Sequence, residues 1–233
     1  MSPADPHPPR GRAGRSGFRW RDRRGVAASE FALVVPIFVL VLFATADLIR
    51  VFRAQLRAET VAVQVGQIVS QCRAITDGAS VATPGNPDNS DIAQLFAHGA
   101  RIAGNIINVN GATGGAMIIT AVGRNNNANR AEWRRRTGNA TFTSTVSTGN
   151  PPAPATITTG TQGVNFVVPA GQALFVTEVY AIVQPWALTA GLIGTVLPKV
   201  VGGTTLFLSR APDPVTLLTA PRVATTPDQE CTG

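Results

Sequence analysis

A glutamate stands at the head of a long apolar segment, and a basic pair with a glycine precedes it. The pair Arg23-Arg24 is followed directly by Gly25. Four small or aliphatic residues separate that glycine from Glu30 and Phe31. A carboxylate within an apolar membrane helix is costly unless it is neutralised or partnered, so Glu30 is a candidate functional residue. The competing interpretation is a carboxylate at the headgroup boundary that water solvates.

Cleavage of the chain at this junction would create a second charged group. A cut after Gly25 would give Val26 a new α-amino group and make Glu30 the fifth residue of the shortened chain. That amino group could meet the carboxylate of a neighbouring helix. Such a pair would partly offset the desolvation cost of both charges.

The apolar segment that follows is long enough to span a bilayer. Residues 31–46, FALVVPIFVLVLFATA, carry no charge, and Glu30 and Asp47 stand at the two ends. With the apolar residues on either side, the segment reaches the length of about 20 residues that a bilayer requires. A cleaved secretory signal would need small residues directly after the apolar run. Here ADLIRVFRAQLRAE follows, which is typical of a continuing helix, so we predict a membrane anchor.

The positive charge of the chain is concentrated before this anchor. Residues 1–25 contain seven arginines and two aspartates, a balance of +5 out of a net charge of +7. This asymmetry predicts a cytoplasmic N-terminus and an exported C-terminal part. Charged residues make up 14% of the chain, against about 25% in typical soluble domains. A nucleic-acid partner is therefore not expected, because the part after the anchor is nearly neutral.

The helix is predicted to continue beyond the membrane. Val61, Val65, Ile68 and Cys72 recur at intervals of three and four residues, which places them on one helix face. We therefore predict one helix from about residue 27 to about residue 72, with a possible kink at Pro36.

Two cysteines, Cys72 and Cys231, both follow the apolar segment. In an exported domain the oxidising compartment would favour a disulfide between them. The alternative is two unrelated thiols, one buried and one near the C-terminus.

The stretch RRGVAASEFALVVPIFVLVLFATADLIRVF, which starts at Arg23, resembles a known family. Its glycine, four intervening residues and Glu-Phe at the head of an apolar helix resemble the class III prepilin signal of Tad pili. The stretch over about residues 20–72 looks like a TadE-like pseudopilin, and residues 173–186 and 204–210 resemble the late strands of that family more weakly. The resemblance implies that Gly25 and Val26 flank the cut of a prepilin peptidase. It also implies that Glu30 is the assembly carboxylate, with Phe31 beside it.

The same resemblance implies a function in the assembly of a Tad-type pilus as a minor pilin. The implied partners are the major pilin and other minor pilins, the inner-membrane assembly platform, the prepilin peptidase and the membrane itself. The implied location is the bacterial inner membrane, with a periplasmic C-terminal domain and possible incorporation into the pilus. The alternative is an uncleaved, membrane-anchored periplasmic binding module. Leader cleavage discriminates between these two hypotheses.

The exported part is predicted to be an α+β domain in which the long helix packs on an antiparallel sheet, as in pilins. We divide the chain into a leader (1–25), the helix (26–72), a turn-rich linker (73–91) and the exported domain (92–233). Ser90 and Asp91 open a second helix with Ile92, Leu95, Phe96 and Ile102 on one face. Strands are predicted at 106–110, 115–122, 140–147, 163–168, 173–184 and 204–209, and a short helix or apolar loop at 185–198.

No motif indicates an enzyme. HExxH, GxSxG, CxxC and Walker-type spacings do not occur in the sequence, and its only histidines are His7 and His98. We therefore expect no cofactor and no metal. A basic cluster, composed of Arg130, Arg134, Arg135 and Arg136, could contact an acidic partner. The alternative, which we favour, is a solvated, asparagine-rich loop.

Overall fold

A computed structural model describes residues 23–77, 90–159, 164–184, 199–223 and 231. Residues 1–22 of the basic leader, most of the predicted linker and the predicted apolar segment at 185–198 lie outside the described residues. The chain divides into two compact units, Met1–Leu42 and Phe43–Gly233. This division lies inside the first helix, and the boundaries predicted at residues 25, 72 and 91 stay predictions.

Helix α1 spans Arg23–Gln71 and includes Pro36 without an interruption of the helical assignment. It is long and apolar enough to cross a membrane, with an 18-residue window of mean hydropathy 2.6 within Ala28–Gln71. Only 6% of that window is buried within the chain, whereas the core helix of a soluble protein is mostly buried. The predicted long N-terminal apolar helix is therefore confirmed.

In the second unit, the C-terminal part of α1 has one buried face. Val61, Val65 and Val69 are fully buried, and so are Ala58 and Ala62 on the same face. The intervals of three and four residues match the helical repeat, so one stripe packs on the sheet. The predicted stripe is nearly right, although Val69 is fully buried while Ile68 is half-buried.

Helix α2 spans Asp91–Ala103 and begins where the sequence predicted. The Ser90 side chain accepts a hydrogen bond from the backbone N–H of Ala93, which satisfies one free donor of the first turn. Asp91 accepts hydrogen bonds from the backbone N–H and the hydroxyl of Thr76, both at 2.8 Å. The helix start is therefore held by its own cap and by the chain that follows α1.

The described part of the chain contains nine strands. They are β1 (Thr76–Asp77), β2 (Ala116–Asn125), β3 (Ala128–Gly138), β4 (Ala153–Pro154), β5 (Thr158–Thr159), β6 (Val164–Asn165), β7 (Leu174–Ile182), β8 (Val200–Leu208) and β9 (Arg222–Val223). Five of them form an antiparallel sheet in the order β4-β3-β2-β7-β8, β1 pairs in parallel with β9, and β5 pairs with β6. A short 3-10 helix covers Pro214–Leu218.

The five-stranded sheet buries apolar side chains on both faces. Its first face, which carries Met117, Trp133 and Phe175, packs against α1 and α2. Its second face, which carries Val122 and Val176, is covered by the segment between β3 and β7. Burial on both faces explains why β2 reads as a continuous apolar run with no clear alternation. The predicted α+β class, with an antiparallel sheet after a long helix, is confirmed.

The asparagine-rich segment predicted as a loop forms instead the hairpin between β2 and β3. Asn126 and Asn127 both have positive φ, 47° and 65°, and Asn125 pairs with Ala128 across a two-residue turn. Asparagine tolerates this conformation better than most residues, and positive φ at both positions suits the twist of a hairpin. The prediction of strands at 106–110 and 140–147 is wrong, because the structure has turns and irregular backbone there.

The α1 helix approaches β8 so closely that only glycine fits at the contact. A Cβ atom on Gly203 would lie 2.7 Å from the Cα atom of Glu59, and one on Gly66 would lie 2.8 Å from the ring of Phe207. The Gln55 side chain spans the same contact, because it donates to the carbonyl of Gly202 at 2.8 Å and accepts from its N–H. The helix and the strand are therefore joined by close packing and by hydrogen bonds.

We expect Gly203→Ala to destabilise the second unit by about 1–3 kcal/mol, because the new methyl group meets helix backbone that cannot rotate away. Thermal unfolding of the full chain in detergent micelles, followed by near-ultraviolet circular dichroism, measures the effect. Thr204→Ala is the matched control, since Thr204 is exposed. Equal melting temperatures for the two variants would contradict the close contact.

Candidate functional site

The residues of the predicted processing junction lie in the first two turns of α1. Gly25 and Val26 are within the helix, whose first residue is Arg23. Glu30 and Phe31 follow one turn later, and both side chains are exposed, Phe31 by 70%. The junction predicted from the sequence is therefore continuous helix, with the carboxylate and the aromatic ring on its surface.

Glu30 is the only acidic side chain on the helix surface before Asp47. Among the side chains that the structure describes, none forms an ion pair with Glu30. Its neighbours along the helix are apolar and exposed, including Leu33 and Val34. Asp47 differs, because it is 1% exposed and lies 3.6 Å from the guanidinium of Arg50. The two acidic ends of the apolar run therefore have different surroundings.

The two cysteines are close together in the structure. Cys72 follows the last residue of α1 and is fully buried, and Cys231 packs against the same core cluster. Their sulfur atoms lie within bonding distance, with a sequence separation of 159. The geometry agrees with the disulfide interpretation of the sequence, and the formation of the bond stays a prediction that is tested below.

The four predicted arginines lie in β3, but they do not form one surface. Arg134 donates to the carbonyl of Ser147, and Arg136 donates to those of Asn139 and Ala140. The pairing register places both on the second face of the sheet, whereas Arg135 lies on the first face.

The other two arginines each have an acidic partner. Arg135 forms an ion pair with Asp77, and Arg130 lies 3.8 Å from Glu132. The guanidinium groups of all four arginines therefore have hydrogen-bond or ion-pair partners within the domain, on two faces of one strand. The use of this cluster as a contact surface for an acidic partner stays a prediction.

A buried carboxylate on β7 is a site that the sequence analysis missed. Glu178 is fully buried on the second face of the sheet. Its Oε1 atom accepts hydrogen bonds from the N–H and hydroxyl of Thr145, at 2.8 and 2.6 Å, and from the hydroxyl of Tyr180 at 3.0 Å. A single glutamate in the otherwise apolar run LFVTEVYAI was the signal that could have indicated it. The two hydrogen bonds from Thr145 hold the 139–147 segment on the sheet.

Two side chains next to Glu178 have shifted pKa values. Burial raises the pKa of the Tyr180 phenol, and the negative charge of Glu178 raises it further. Phe142 stacks on the Tyr180 ring with centroids 5.1 Å apart, which contributes to that burial. Burial lowers the pKa of Arg134, while the charge of Glu178 acts in the opposite direction. The cluster is a structural polar network, because it joins a loop to the sheet beneath it.

Trp133, which interrupts the arginine cluster in sequence, belongs to the core. Its indole N–H donates to the carbonyl of Leu217 at 2.7 Å, and its ring lies 6.0 Å from that of Phe175. Within the described residues, no three side chains of histidine, cysteine, aspartate or glutamate come together as a metal site.

Comparison with protein families identifies the helix. Residues 25–66 match the family described as TadE-like protein. The N-terminal helix is TadE-like. The match begins at Gly25, two residues after α1 begins, and it includes Glu30 and the part of the packed stripe that precedes Val69. It does not extend to the strands, so the weaker resemblance of residues 173–186 and 204–210 stays a prediction. Among curated proteins and among solved structures, no match was found.

We expect a disulfide between Cys72 and Cys231 that stabilises the second unit by about 2–4 kcal/mol. A non-reducing peptide map should show the two cysteine peptides linked, and a reductant should lower the melting temperature of the full chain. Cys231→Ser, which leaves the buried Cys72 side chain in place, should melt at the lower temperature with or without the reductant. Free thiols in both peptides of membrane-extracted protein would rule the bond out.

We expect the single tyrosine of the chain, Tyr180, to titrate above the usual value of about 10. Because the folded state raises this pKa, the associated stabilisation is present at neutral pH and is lost as the pH rises through the folded value. Tyrosinate absorbance measures the titration without interference from a second phenol. Glu178→Gln should move the pKa down, since it removes the negative charge but keeps the burial. An identical titration in wild type and variant would contradict the assignment.

Proposed function

We propose that this protein is a minor pilin, or pseudopilin, that acts in the assembly of a Tad-type pilus. Its leader would be removed by a prepilin peptidase between Gly25 and Val26. The observation that carries the proposal is the TadE-like match from Gly25 onward, with Glu30 five residues after that glycine and at the head of an exposed apolar helix. We propose a structural function and no catalysis.

The chemistry of Glu30 supports this proposal. Its carboxylate is exposed on a helix surface that is otherwise apolar from residue 31 to residue 46. In a lipid environment such a charge needs a partner, and its described neighbours provide no ion pair. The α-amino group of a cleaved Val26 on an adjacent subunit would be such a partner. The pairing would also fix the position of one helix relative to the other along their axes.

The apolar surface of the helix supports side-by-side association within the membrane. Phe31, Leu33, Ile37, Phe38 and Leu42 are all at least half exposed. Lipid chains or the helices of other subunits would cover these side chains. In that arrangement the partners are the major pilin, the other minor pilins and the membrane, with the assembly platform and the peptidase acting on the same helix.

The charge of the leader supports an orientation with the N-terminus in the cytoplasm and the sheet domain in the periplasm. Seven arginines precede the apolar run, and three follow it within the next eleven residues, Arg50, Arg53 and Arg57. A disulfide between the two cysteines would also fit an oxidising compartment.

We expect protein extracted from membranes to begin at Val26, as measured by intact-mass spectrometry. In cells without the prepilin peptidase it should begin at the leader. Gly25→Val should block the cut, because a bulky side chain replaces the glycine before the scissile bond. Gly17→Val is the matched control within the leader and should leave the cut unchanged. A retained leader in wild-type cells would favour the alternative, an uncleaved periplasmic binding module.

The proposed role of Glu30 in assembly can be tested separately from cleavage of the leader. Glu30→Gln keeps the side-chain size but removes the charge, so it should lower the amount of protein recovered with pili at least about tenfold, as expected for loss of one charge pair worth about 1.4 kcal/mol. Glu30→Asp retains the charge and should retain most of the recovery. Both variants should still begin at Val26. Equal recovery of the two would contradict the assembly carboxylate.

A further inference from the structure

The strand β8 is an edge of the five-stranded sheet, and half of its backbone polar groups point outward. Among the described strands, β7 is its only neighbour. The residue pairs on either side of the ladder, Ala173 with Ser209 and Val183 with Lys199, are hydrogen-bonded. Because hydrogen-bonded and non-bonded pairs alternate in an antiparallel ladder, the even-numbered residues of β8 direct their N–H and C=O groups away from β7.

Among the described residues, the outward groups of Gly202 have a partner, whereas those at three later positions do not. Gln55 satisfies both backbone groups of Gly202. No described residue donates to or accepts from the outward groups of Thr204, Leu206 and Leu208. Three consecutive outward positions, about 13 Å of strand at the usual rise per residue, therefore present alternating donors and acceptors.

In the part of the chain that the structure describes, this edge lacks most of the features that protect natural sheet edges. Such edges are usually short, charged, interrupted by proline or covered. The segment 200–208, VVGGTTLFL, is nine residues long and contains neither a charge nor a proline. The opposite edge strand of the sheet, β4, has two residues, and one of them is Pro154. Within the described residues, the two edges of this sheet therefore differ in length and in proline content.

Apolar side chains line the second face beside this edge. Leu206 and Leu208 are 38% and 41% exposed on that face. Together with Phe166 and Leu174 they border an open groove of about 770 Å³, which Pro169 and Gln172 also line. Every second side chain of a strand paired to β8 would enter this groove.

Apolar side chains also line the first face beside the edge. Phe52, Leu56 and Val63 of α1 are exposed and recur at intervals of four and seven residues, which is one side of the helix. That side adjoins the positions of Gln55 and Glu59, which contact the two glycines of β8. The remaining side chains of an added strand would pack against this stripe. Both faces of the edge therefore offer apolar contacts to the alternating side chains of an added strand.

The charges at the two ends of β8 distinguish between possible occupants. Lys199 precedes the strand and Arg210 follows it, and both are exposed. In the register that gives a second copy the fullest antiparallel overlap, Lys199 of one chain would lie next to Arg210 of the other. A second copy would therefore bring a further positive charge to each end of the strand pair, whereas a carboxylate at each end would be complementary. The edge therefore favours a strand of another protein with carboxylates at its ends.

We propose that β8 binds an extended segment of a second protein, which adds a sixth strand to the sheet. The segment would have alternating apolar side chains and an acidic residue at each end. Backbone hydrogen bonds at Thr204, Leu206 and Leu208 provide the pairing, and the groove and the α1 stripe select the side chains. This inference goes beyond the proposed function and does not depend on leader cleavage or on Glu30.

The test uses the purified full chain in detergent micelles and a labelled synthetic peptide. The peptide matches β8 in length, alternates valine and threonine, and carries glutamates at both ends. Two further peptides carry N-methyl groups, one on every second amide and the other on the intervening amides. Fluorescence anisotropy measures the Kd of each. Only alternate amides of an added strand face β8. The peptide methylated on those amides should therefore bind at least about tenfold more weakly than the parent, an effect of about 1.4 kcal/mol. The peptide methylated on the other amides should bind within about twofold of the parent.

Variants of the protein provide the matching control. Thr204→Pro removes an outward N–H but no hydrogen bond to β7, so the fold should persist while peptide binding weakens at least about tenfold. Thr204→Val keeps the N–H and should bind within about twofold of wild type. If the proline variant does not fold, the methylated peptides still decide the question.

Three results would overturn the proposal. The first is equal binding of the two methylated peptides, which would exclude backbone pairing. The second is no binding of the parent peptide to the folded full chain. The third is a dimer of the protein, seen by analytical ultracentrifugation, that Thr204→Pro abolishes, because a second copy would then occupy the edge.

Discussion

The close approach of α1 to β8 is the constraint on which the second unit depends. Gly66 and Gly203 allow backbone and ring atoms to meet where any side chain would collide, and Gln55 bonds to the strand backbone at the same contact. This contact positions the valine stripe of α1 over the sheet, and the sheet in turn buries it. It also leaves the other side of α1 uncovered in the described structure, so Leu56 and Val63 remain exposed beside the strand edge.

Polar groups on the second face of the sheet are accommodated by the irregular segment between β3 and β7. Glu178 and Arg134 lie on that face, and the backbone of residues 139–147 supplies hydrogen bonds to the carboxylate and to the arginines of β3. A buried polar group without such partners would cost free energy, so the segment has a structural reason for its path. The arginines thus stabilise a loop, although in sequence they look like a basic surface patch.

The features related to function lie at two separate places along the chain. The junction from Gly25 to Glu30 is part of the TadE-like match, and we propose that it serves processing and association within the membrane. The β8 edge lies far from it in sequence, outside that match, and its proposed role is recognition of a second protein. A family match confined to the helix therefore leaves the binding properties of the sheet domain to be established from its own structure.

The sequence alone determined the features that depend on local pattern. A long uncharged run specifies a membrane-length helix, Ser90 specifies the start of α2, and the apolar run 173–184 specifies a strand, because each signal lies within one element. Tertiary structure decided what depends on neighbours. The arginine-rich β3 forms a strand because β2 pairs with it and because backbone carbonyl groups outside the strand accept hydrogen bonds from its side chains. No local sequence pattern indicates these contacts. Likewise, whether β8 is central or an edge depends on which strands meet it in space.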